Sequence, residues 1–430
     1  MDNSVQKQKS YVLPIAMMFA LFFMIAFVTG LQNPMAVIVK NEFGASNFLS
    51  QLGNFANFIA YACMGIPAGL LLQRIGYKKT ALIAIVVGFV GVGITFLSGQ
   101  VSSFAVYLTG AFVSGFSMCM LNTVVNPMLN TLGGGGNKGN QLIQFGGACN
   151  SIGATIVPVL VGYLMGSIPE ARTIASAGPA LYLAMGIFVL AFLVLTFMRI
   201  PEPFIAKDEP KKEKSKYSAL SFRHFVLGMV AIFVYVGIEV GIPNIANLYM
   251  TSEGNGGLNI APTFAGTVVG TYWFLMLIGR LGGGAVGAKI SSKTMLSFVA
   301  LVAMVFVLLG IFMPAEVTVN MPVFLEDISF GFAEVPISVM FFVLCGLCTS
   351  VMWGGIFNLA VEGLGKYTAA ASGLFMMMVC GGGILPAVQG WIADHVGYLM
   401  SYWLIFACLL YLLYYALVGS KNVNKNIRVD

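Results

Sequence analysis

Long apolar runs, separated by short polar or glycine-rich connections, dominate the chain. A helix that crosses a membrane needs about 20 mostly apolar residues, and twelve runs are long enough. The pattern therefore predicts an all-α membrane protein with twelve transmembrane helices. The predicted spans cover residues 11–38, 48–72, 79–99, 102–130, 140–167, 176–199, 222–250, 259–287, 294–314, 333–361, 367–392 and 397–419.

The composition agrees with this pattern, since 58% of the 430 residues are hydrophobic and only 9% are charged. Soluble domains carry roughly 25% charged residues. If the N-terminus is cytoplasmic, 19 of the 22 lysines and arginines fall on the cytoplasmic side. Because positive charge accumulates on cytoplasmic loops, we predict cytoplasmic N- and C-termini. The net charge of +6 is therefore attributed to topology and not to a nucleic-acid partner.

Several classes of site are absent from the sequence. The glycines at 133–136 lack the Gly-Lys-Ser/Thr ending of a nucleotide-binding loop, and no metal-ligating cluster or nucleophile–base set is visible. We therefore predict that the chain is not an enzyme, binds no cofactor and no metal, and draws its energy from a gradient. The chain also lacks an Asn-x-Ser/Thr glycosylation sequence, which favours a bacterial inner membrane.

The chain divides into two related halves. Residues 200–221 form the one long polar segment between spans and read as a cytoplasmic linker. They separate a first bundle of six helices (residues 1–199) from a second (residues 222–430). The loops after the second and eighth spans share a pattern 215 residues apart, because Gly69, Arg74 and Lys78 recur as Gly284, Lys289 and Lys293. This repeat predicts that the halves are related by a pseudo-two-fold axis.

Twelve spans, a basic linker and the sequence from Gly69 to Lys78 resemble the major facilitator superfamily and its G-x-x-x-[DN]-R-x-G-x-[RK] loop. The resemblance implies two six-helix bundles, a central cavity lined by helices 1, 4, 7 and 10, and transport by alternating access. Gln73 replaces the usual acid of that loop, so the customary interaction of that acid with a helix end is not expected. We expect a monomer whose gating loops include Gly69, Arg74, Lys78, Lys289 and Lys293.

Shorter sequences resemble the fucose:proton symporter family. They are Leu121–Thr131 (with Asn-Pro), Asn150-Ser-Ile-Gly-Ala154 and Tyr235-Val-Gly-Ile-Glu-Val240, the last as in its glucose/galactose branch. The family uses carboxylates in its first and fourth helices for proton coupling and sugar recognition. The matching positions here are Asn33 and Asn122, and Gly147 replaces a fifth-helix glutamine. Coupling through those two positions is therefore not available.

Glu239 is the one carboxylate predicted to lie deep in the membrane. A charged side chain there costs about 2.5–3.5 kcal/mol on insertion scales, so a proton, a cation or a partner must offset it. Tyr235 and Pro243, at i−4 and i+4, share its helical face, and Pro243 weakens the helix. We predict that Glu239, oriented by Tyr235, couples transport to a proton. Sodium coupling, no coupling, and a purely structural neutral acid are the alternatives.

Buried amides and aromatic rings supply the candidate sugar site. An amide both donates and accepts hydrogen bonds, as a sugar hydroxyl does, and an aromatic ring can stack on a pyranose. The alternative is that the amides join helices to one another and that the rings are packing residues. The candidates are Asn33, Asn54, Tyr61, Asn122, Asn126, Asn150, Asn244, Trp353 and Asn358.

The combined prediction is a secondary active transporter that imports a neutral sugar, a hexose or a close derivative, by proton symport. The substrate is predicted to be neutral because Arg280, the one basic residue near the sugar site, is placed close to the cytosolic end of its span. The expected partners are the sugar, H⁺ or Na⁺, and the lipid bilayer. The rival functions are an exporter of hydrophobic compounds and a sugar sensor that does not transport.

Overall fold

A computed structural model describes residues 11–31, 35, 38, 42–43, 47–165, 173–174, 176–202, 217–253, 256–324, 329–424 and 426–429. The first half contains α1 (Val12–Gly30), a long helix Asn47–Gln100, α4 (Phe104–Leu132), α5 (Gly136–Met165) and α6 (Gly178–Phe197). The long helix is interrupted at Gly76, whose φ of 83° favours glycine. We call its two parts α2 (residues 47–75) and α3 (residues 77–100).

The second half contains α7 (Arg223–Thr251), α8 (Pro262–Gly287), α9 (Ser292–Phe312), α10 (Ile337–Val361), α11 (Gly365–Val396) and α12 (Tyr398–Gly419). Within the described ranges, ten helices have the length and hydropathy to cross a membrane, with the helix around Gly76 counted once. When that helix is divided and the 30-residue α5 is added, each predicted apolar run corresponds to one helix. Most of the predicted linker, residues 203–216, lies outside the described residues.

One element departs from the predicted all-helical architecture. Strands β1 (Thr318–Phe324) and β2 (Phe330–Pro336) form an antiparallel hairpin between α9 and α10, with Thr318 opposite Pro336. The tenth span therefore begins at Ile337 and not at residue 333. Side chains of β2 alternate between exposed and more buried positions, which is the period of a strand. Hydropathy alone had merged this short alternating segment with the helix that follows it.

The bundle has two distinguishable ends. The α2–α3, α4–α5, α8–α9 and α10–α11 connections lie at one end, which we call the basic face because it carries Lys78, Lys138, Lys289 and Lys366. The opposite end carries the β-hairpin and is called the hairpin face. Glu326 and Asp327, which follow β1 in the sequence, lie outside the described residues.

Two lysines at equivalent positions of the repeat make equivalent contacts at the basic face. Nζ of Lys78 donates to the carbonyl oxygens of Thr196 and Met198 at the end of α6, both at 2.7 Å. Nζ of Lys293 donates to the carbonyl oxygen of Leu417 near the end of α12, at 2.9 Å. Each ammonium thus satisfies the carboxyl end of the last helix in its own half.

Small residues allow the two halves to approach closely on the basic side. A Cβ atom on Gly65 of α2 would lie 2.6 Å from the backbone of Gly373 in α11, and Gly69 is in contact with the same residue. At a second contact between the halves, Gly284 of α8 packs against the ring of Phe145 in α5. Two seams, α2–α11 and α5–α8, therefore join the halves.

Candidate functional site

A cavity of about 170 Å³ lies between the two halves. Both halves contribute helices to its wall, including α1, α4, α7 and α10, as the family resemblance implied. The residues that line it are Phe22, Ile25, Thr29, Phe58, Tyr61, Asn122, Ile143, Gln144, Gly147, Asn150, Val236, Glu239, Val240, Arg280, Ser350, Trp353, Gly354 and Val379.

An ion pair lies in the cavity wall. Nη2 of Arg280 is 3.1 Å from Oε1 of Glu239, and the two side chains are only 10% and 14% exposed. The position of Arg280 near the cytosolic end of its span did not by itself predict this pairing with Glu239. Side chains lean towards the N-terminus of their own helix. Because α7 and α8 run in opposite directions, Glu239 leans towards the basic face and Arg280 towards the hairpin face, so the two meet.

The guanidinium of Arg280 has partners on three helices. Its Nη1 donates to Oγ of Ser151 at 2.6 Å and to the carbonyl oxygen of Gly147 at 3.2 Å, both on α5. Its Nε donates to the carbonyl oxygen of Ser350 at 3.4 Å. Ser350 lies where α10 is interrupted, between Ile337–Thr349 and Met352–Val361. Irregular backbone at such depth is tolerated where it lines a cavity, and here its carbonyl binds the cation.

The backbone around Glu239 is also satisfied locally. Pro243 has no N–H, so the carbonyl oxygen of Glu239 loses its helical donor, and the hydroxyl of Tyr272 donates to it at 3.1 Å. Tyr235, predicted to orient Glu239, is fully buried. Its hydroxyl makes no hydrogen bond of standard geometry within the described residues, although it lies within electrostatic reach of Glu239.

A chain of hydrogen bonds connects four of the predicted sugar-site residues. Nδ2 of Asn122 donates to the hydroxyl of Tyr61 at 3.0 Å, and Nδ2 of Asn126 lies 3.3 Å from Oδ1 of Asn122. Nε1 of Trp353 donates to Oδ1 of Asn126 at 3.0 Å. Tyr61, Asn122 and Trp353 line the cavity, whereas Asn126 is fully buried behind them. The amides therefore hold the aromatic rings in place as well as offering polar groups to a solute.

The other predicted sugar-site residues lie at three levels. Asn150 lines the cavity and donates to the carbonyl oxygen of Phe22 at 3.0 Å. Asn54 and Asn244 do not line it, but each lies one helical turn from a lining residue, on the side of the hairpin face. Asn358 lies between the cavity and the basic face, where it forms hydrogen bonds with Asn130 and Ser292. Asn33 is outside the described residues.

The hydrogen bonds that join the two halves lie on the side of the basic face. Asn130 of α4 donates to Asn358 of α10 at 2.7 Å. Gln141 and Gln144 of α5 donate to backbone carbonyls in α8 and α10, both at 2.9 Å. Among the described residues, these contacts lie at the cavity wall or between it and the basic face. The halves are therefore closed by hydrogen bonds on the basic side.

The predicted gating-loop residues divide into three groups. Gly69 contacts the other half through Gly373, whereas Lys78 and Lys293 bind helix ends within their own halves. The side chains of Arg74 and Lys289 have no hydrogen-bond partner in the described part of the chain. Sequence reasoning missed Arg280 as the partner of Glu239, and Gly147 and Ser350 as partners of Arg280. The opposite directions of α7 and α8 were the available signal for Arg280.

The chain matches known proteins along nearly all of its length. A family model described as Major Facilitator Superfamily matches residues 18–386. The glucose/galactose transporter of Brucella abortus (biovar 1, strain 9-941) is 29% identical over 426 residues, which cover 98% of each chain. The L-fucose-proton symporter of Escherichia coli K12 is 22% identical over 420 residues, which cover 92% of this chain and 90% of that protein.

A solved structure has the same architecture. The transporter FucP, crystallised in its outward conformation, superposes with a TM-score of 0.79 and 21% identity over 96% of this chain and all of that one. The likeness in fold covers both halves of this chain.

Proposed function

Because this chain belongs to the Major Facilitator Superfamily, a family of multi-pass membrane transporters and not of enzymes, we propose that it imports a neutral sugar, a hexose or a close derivative, by proton symport. The cavity carries this proposal, since it combines Asn122, Asn150 and the ring of Trp353 with the buried acid Glu239. Relatives named as a glucose/galactose transporter and an L-fucose-proton symporter support the same substrate class.

The charges in the cavity wall support a neutral substrate. An anionic solute would require an unpaired cationic side chain in the wall. Arg280 is instead paired with Glu239 and also hydrogen-bonded to Ser151 and Ser350. The wall is therefore polar with no net charge. An exporter of hydrophobic compounds would favour a cavity without these amides, and a sensor would need no coupling residue such as Glu239.

The proposed topology places the basic face in the cytoplasm of a bacterial cell, with both termini on that side. Residues 1–199 and 222–430 form the two moving bundles, and residues 200–221 link them. The cavity is then closed towards the cytoplasm by the contacts at the basic face. Alternating access requires those contacts to break while the halves close on the hairpin side.

Counterflow of radiolabelled hexoses in proteoliposomes tests the substrate. We expect a hexose to exchange, whereas no exchange of any neutral sugar would refute the proposal in favour of a sensor or an exporter. Glu239→Gln then tests coupling, since the variant should lose gradient-driven accumulation but keep exchange. Full accumulation by the variant would exclude Glu239 as the coupling residue. Replacement of sodium by choline at fixed pH distinguishes proton from sodium coupling.

A further inference from the structure

Arg280 differs from the other inter-half contacts because it is charged and its partners lie in both halves. Glu239 and Ser350 belong to the second half, as does Arg280 itself, whereas Gly147 and Ser151 belong to α5 of the first half. Within the described residues, the remaining hydrogen bonds between the halves involve neutral groups. One guanidinium therefore connects the buried acid directly to the α5–α8 seam.

The position of Gly147 makes this contact possible. A Cβ atom there would lie 3.3 Å from Cδ and 3.5 Å from Nε of Arg280. The absence of a side chain lets the guanidinium lie against the backbone of α5 and reach its carbonyl oxygen. Gly147, which stands where the fucose:proton symporter family has a glutamine, thus leaves room for the guanidinium of Arg280.

We propose that Arg280 is a positioning residue that makes the packing of α5 against α8 depend on the charge of Glu239. With Glu239 ionised, Arg280 is neutralised and holds Ser151 and Gly147, so the seam stays closed. When a cation neutralises Glu239, Arg280 keeps only neutral acceptors. An uncompensated buried charge is strongly unfavourable, so the guanidinium moves to the water of the cavity and the seam is released.

No other charged side chain lines the cavity in the part of the chain that the structure describes. The titratable groups around the pair are the phenols of Tyr235 on α7 and Tyr272 on α8, and α5 and α10 present only neutral groups to it. The histidines are distant, since His224 binds the carbonyl of Glu362 at the start of α7 and His395 lies at the end of α11. Glu239 is thus the group whose neutralisation Arg280 senses.

The seam can be tested without transport. Spin labels at Lys138→Cys and Ile290→Cys, in a variant whose seven native cysteines are replaced, report the separation of α5 and α8 at the basic face by pulsed EPR in nanodiscs. Ser151→Ala removes the shorter of the two hydrogen bonds to the first half and leaves the ion pair and the bond to the carbonyl oxygen of Gly147. Ser117→Ala is the matched control, because this buried serine donates to Ala84 within the first half.

We expect Ser151→Ala to raise the population with separated helices roughly tenfold, the lower range for a hydrogen bond to a charged group, and Ser117→Ala to leave it unchanged. Arg280→Lys, which keeps the charge but not the fork of donors, should resemble Ser151→Ala. Acidification should separate the helices in the parent, and Glu239→Gln should show the separation at every pH. Equal behaviour of the two serine variants, or an acid response that persists in Glu239→Gln, would overturn the proposal.

The coupling direction rests on the proposed role of Glu239, but the two proposals fail separately. The distances are measured without sugar, so a protein that transports no hexose can still show the seam response. Conversely, the protein could show hexose counterflow while the α5–α8 distance changes neither with Ser151→Ala nor with pH. That result would exclude the proposed role of Arg280 and leave the proposed transport function intact.

Discussion

Nε1 of Trp353 and Oδ1 of Asn126 form a hydrogen bond of 3.0 Å that crosses the boundary between the two halves. The bond fixes an aromatic face in the cavity wall and at the same time completes the hydrogen bonding of an amide with no exposed surface. The proposed sugar contact of Trp353 and its hydrogen bond to the other half therefore belong to one side chain.

The Trp353–Asn126 bond can be removed without removing the ring. Trp353→Phe keeps an aromatic surface but leaves Oδ1 of Asn126 buried and unpaired, which costs about 1–3 kcal/mol. We expect a lower melting temperature for this variant in detergent. Trp353→Phe combined with Asn126→Leu should recover part of the loss, whereas strictly additive effects would mean that the two side chains are not coupled.

The Glu239–Arg280 pair predicts a non-additive stability cycle. Removal of one charge from a buried pair costs about 3–5 kcal/mol, because the other charge is left without compensation. Glu239→Gln and Arg280→Met should each lower the melting temperature sharply, and the double variant should be more stable than either. A double variant less stable than both would show that the side chains are not paired in the membrane.

Close backbone packing at Gly373 should control access from the basic face. A leucine there would collide with Gly65 and Gly69 of α2, so the halves could not close on that side. We expect Gly373→Leu to raise several-fold the labelling of a cavity cysteine by a thiol reagent applied from the basic face. Gly186→Leu is the control, since a Cβ at Gly186 meets nothing within 4 Å.

The lysine contacts at the helix ends predict a modest and local stability effect. Lys78→Met removes two charged hydrogen bonds to the end of α6, and a cation at a helix C-terminus contributes about 0.3–1 kcal/mol. Thermal unfolding should detect this loss. The adjacent Lys79→Met is the control, because it makes the same change in charge at a side chain for which the structure describes no hydrogen bond. An equal loss of stability in this variant would attribute the effect to net charge and not to the contacts of Lys78.

The proposed topology predicts opposite accessibility for two sets of cysteines. Cysteines at Lys7 and Lys211 should react with an impermeant reagent only from the cytoplasm, and one at Glu316, beside the hairpin, only from outside. External labelling of the first two positions would refute the assignment of the basic face.

The apolar runs predicted the helices well because burial in a membrane depends on length and hydropathy, which the sequence displays directly. They failed at β2, where a strand of seven residues adjoins α10 and shares its apolar character. Only the period of the pattern separates the two, and it extends over too few residues to stand out beside the longer helix.

The site was harder to predict because it depends on which helices face each other. Glu239, Tyr61 and Asn122 were chosen by residue type and depth, and the structure places all three in the cavity wall. Arg280 was placed by its distance from the end of its span, and its side-chain direction was not considered. Ser350 could not have been chosen at all, since it is the break in α10, and not its side chain, that offers a carbonyl to Arg280.

The offset of 215 residues that relates Lys78 to Lys293 also relates Gly65 to Arg280. Both positions meet the opposite half, Gly65 at α11 and Arg280 at α5. One copy of the repeat thus makes an uncharged contact whose strength is independent of bound cations, and the other makes an ionic one. The internal symmetry is broken at this pair, so we expect motion at the basic face to be uneven, with α5 and α8 separating first while α2 and α11 remain together as the pivot.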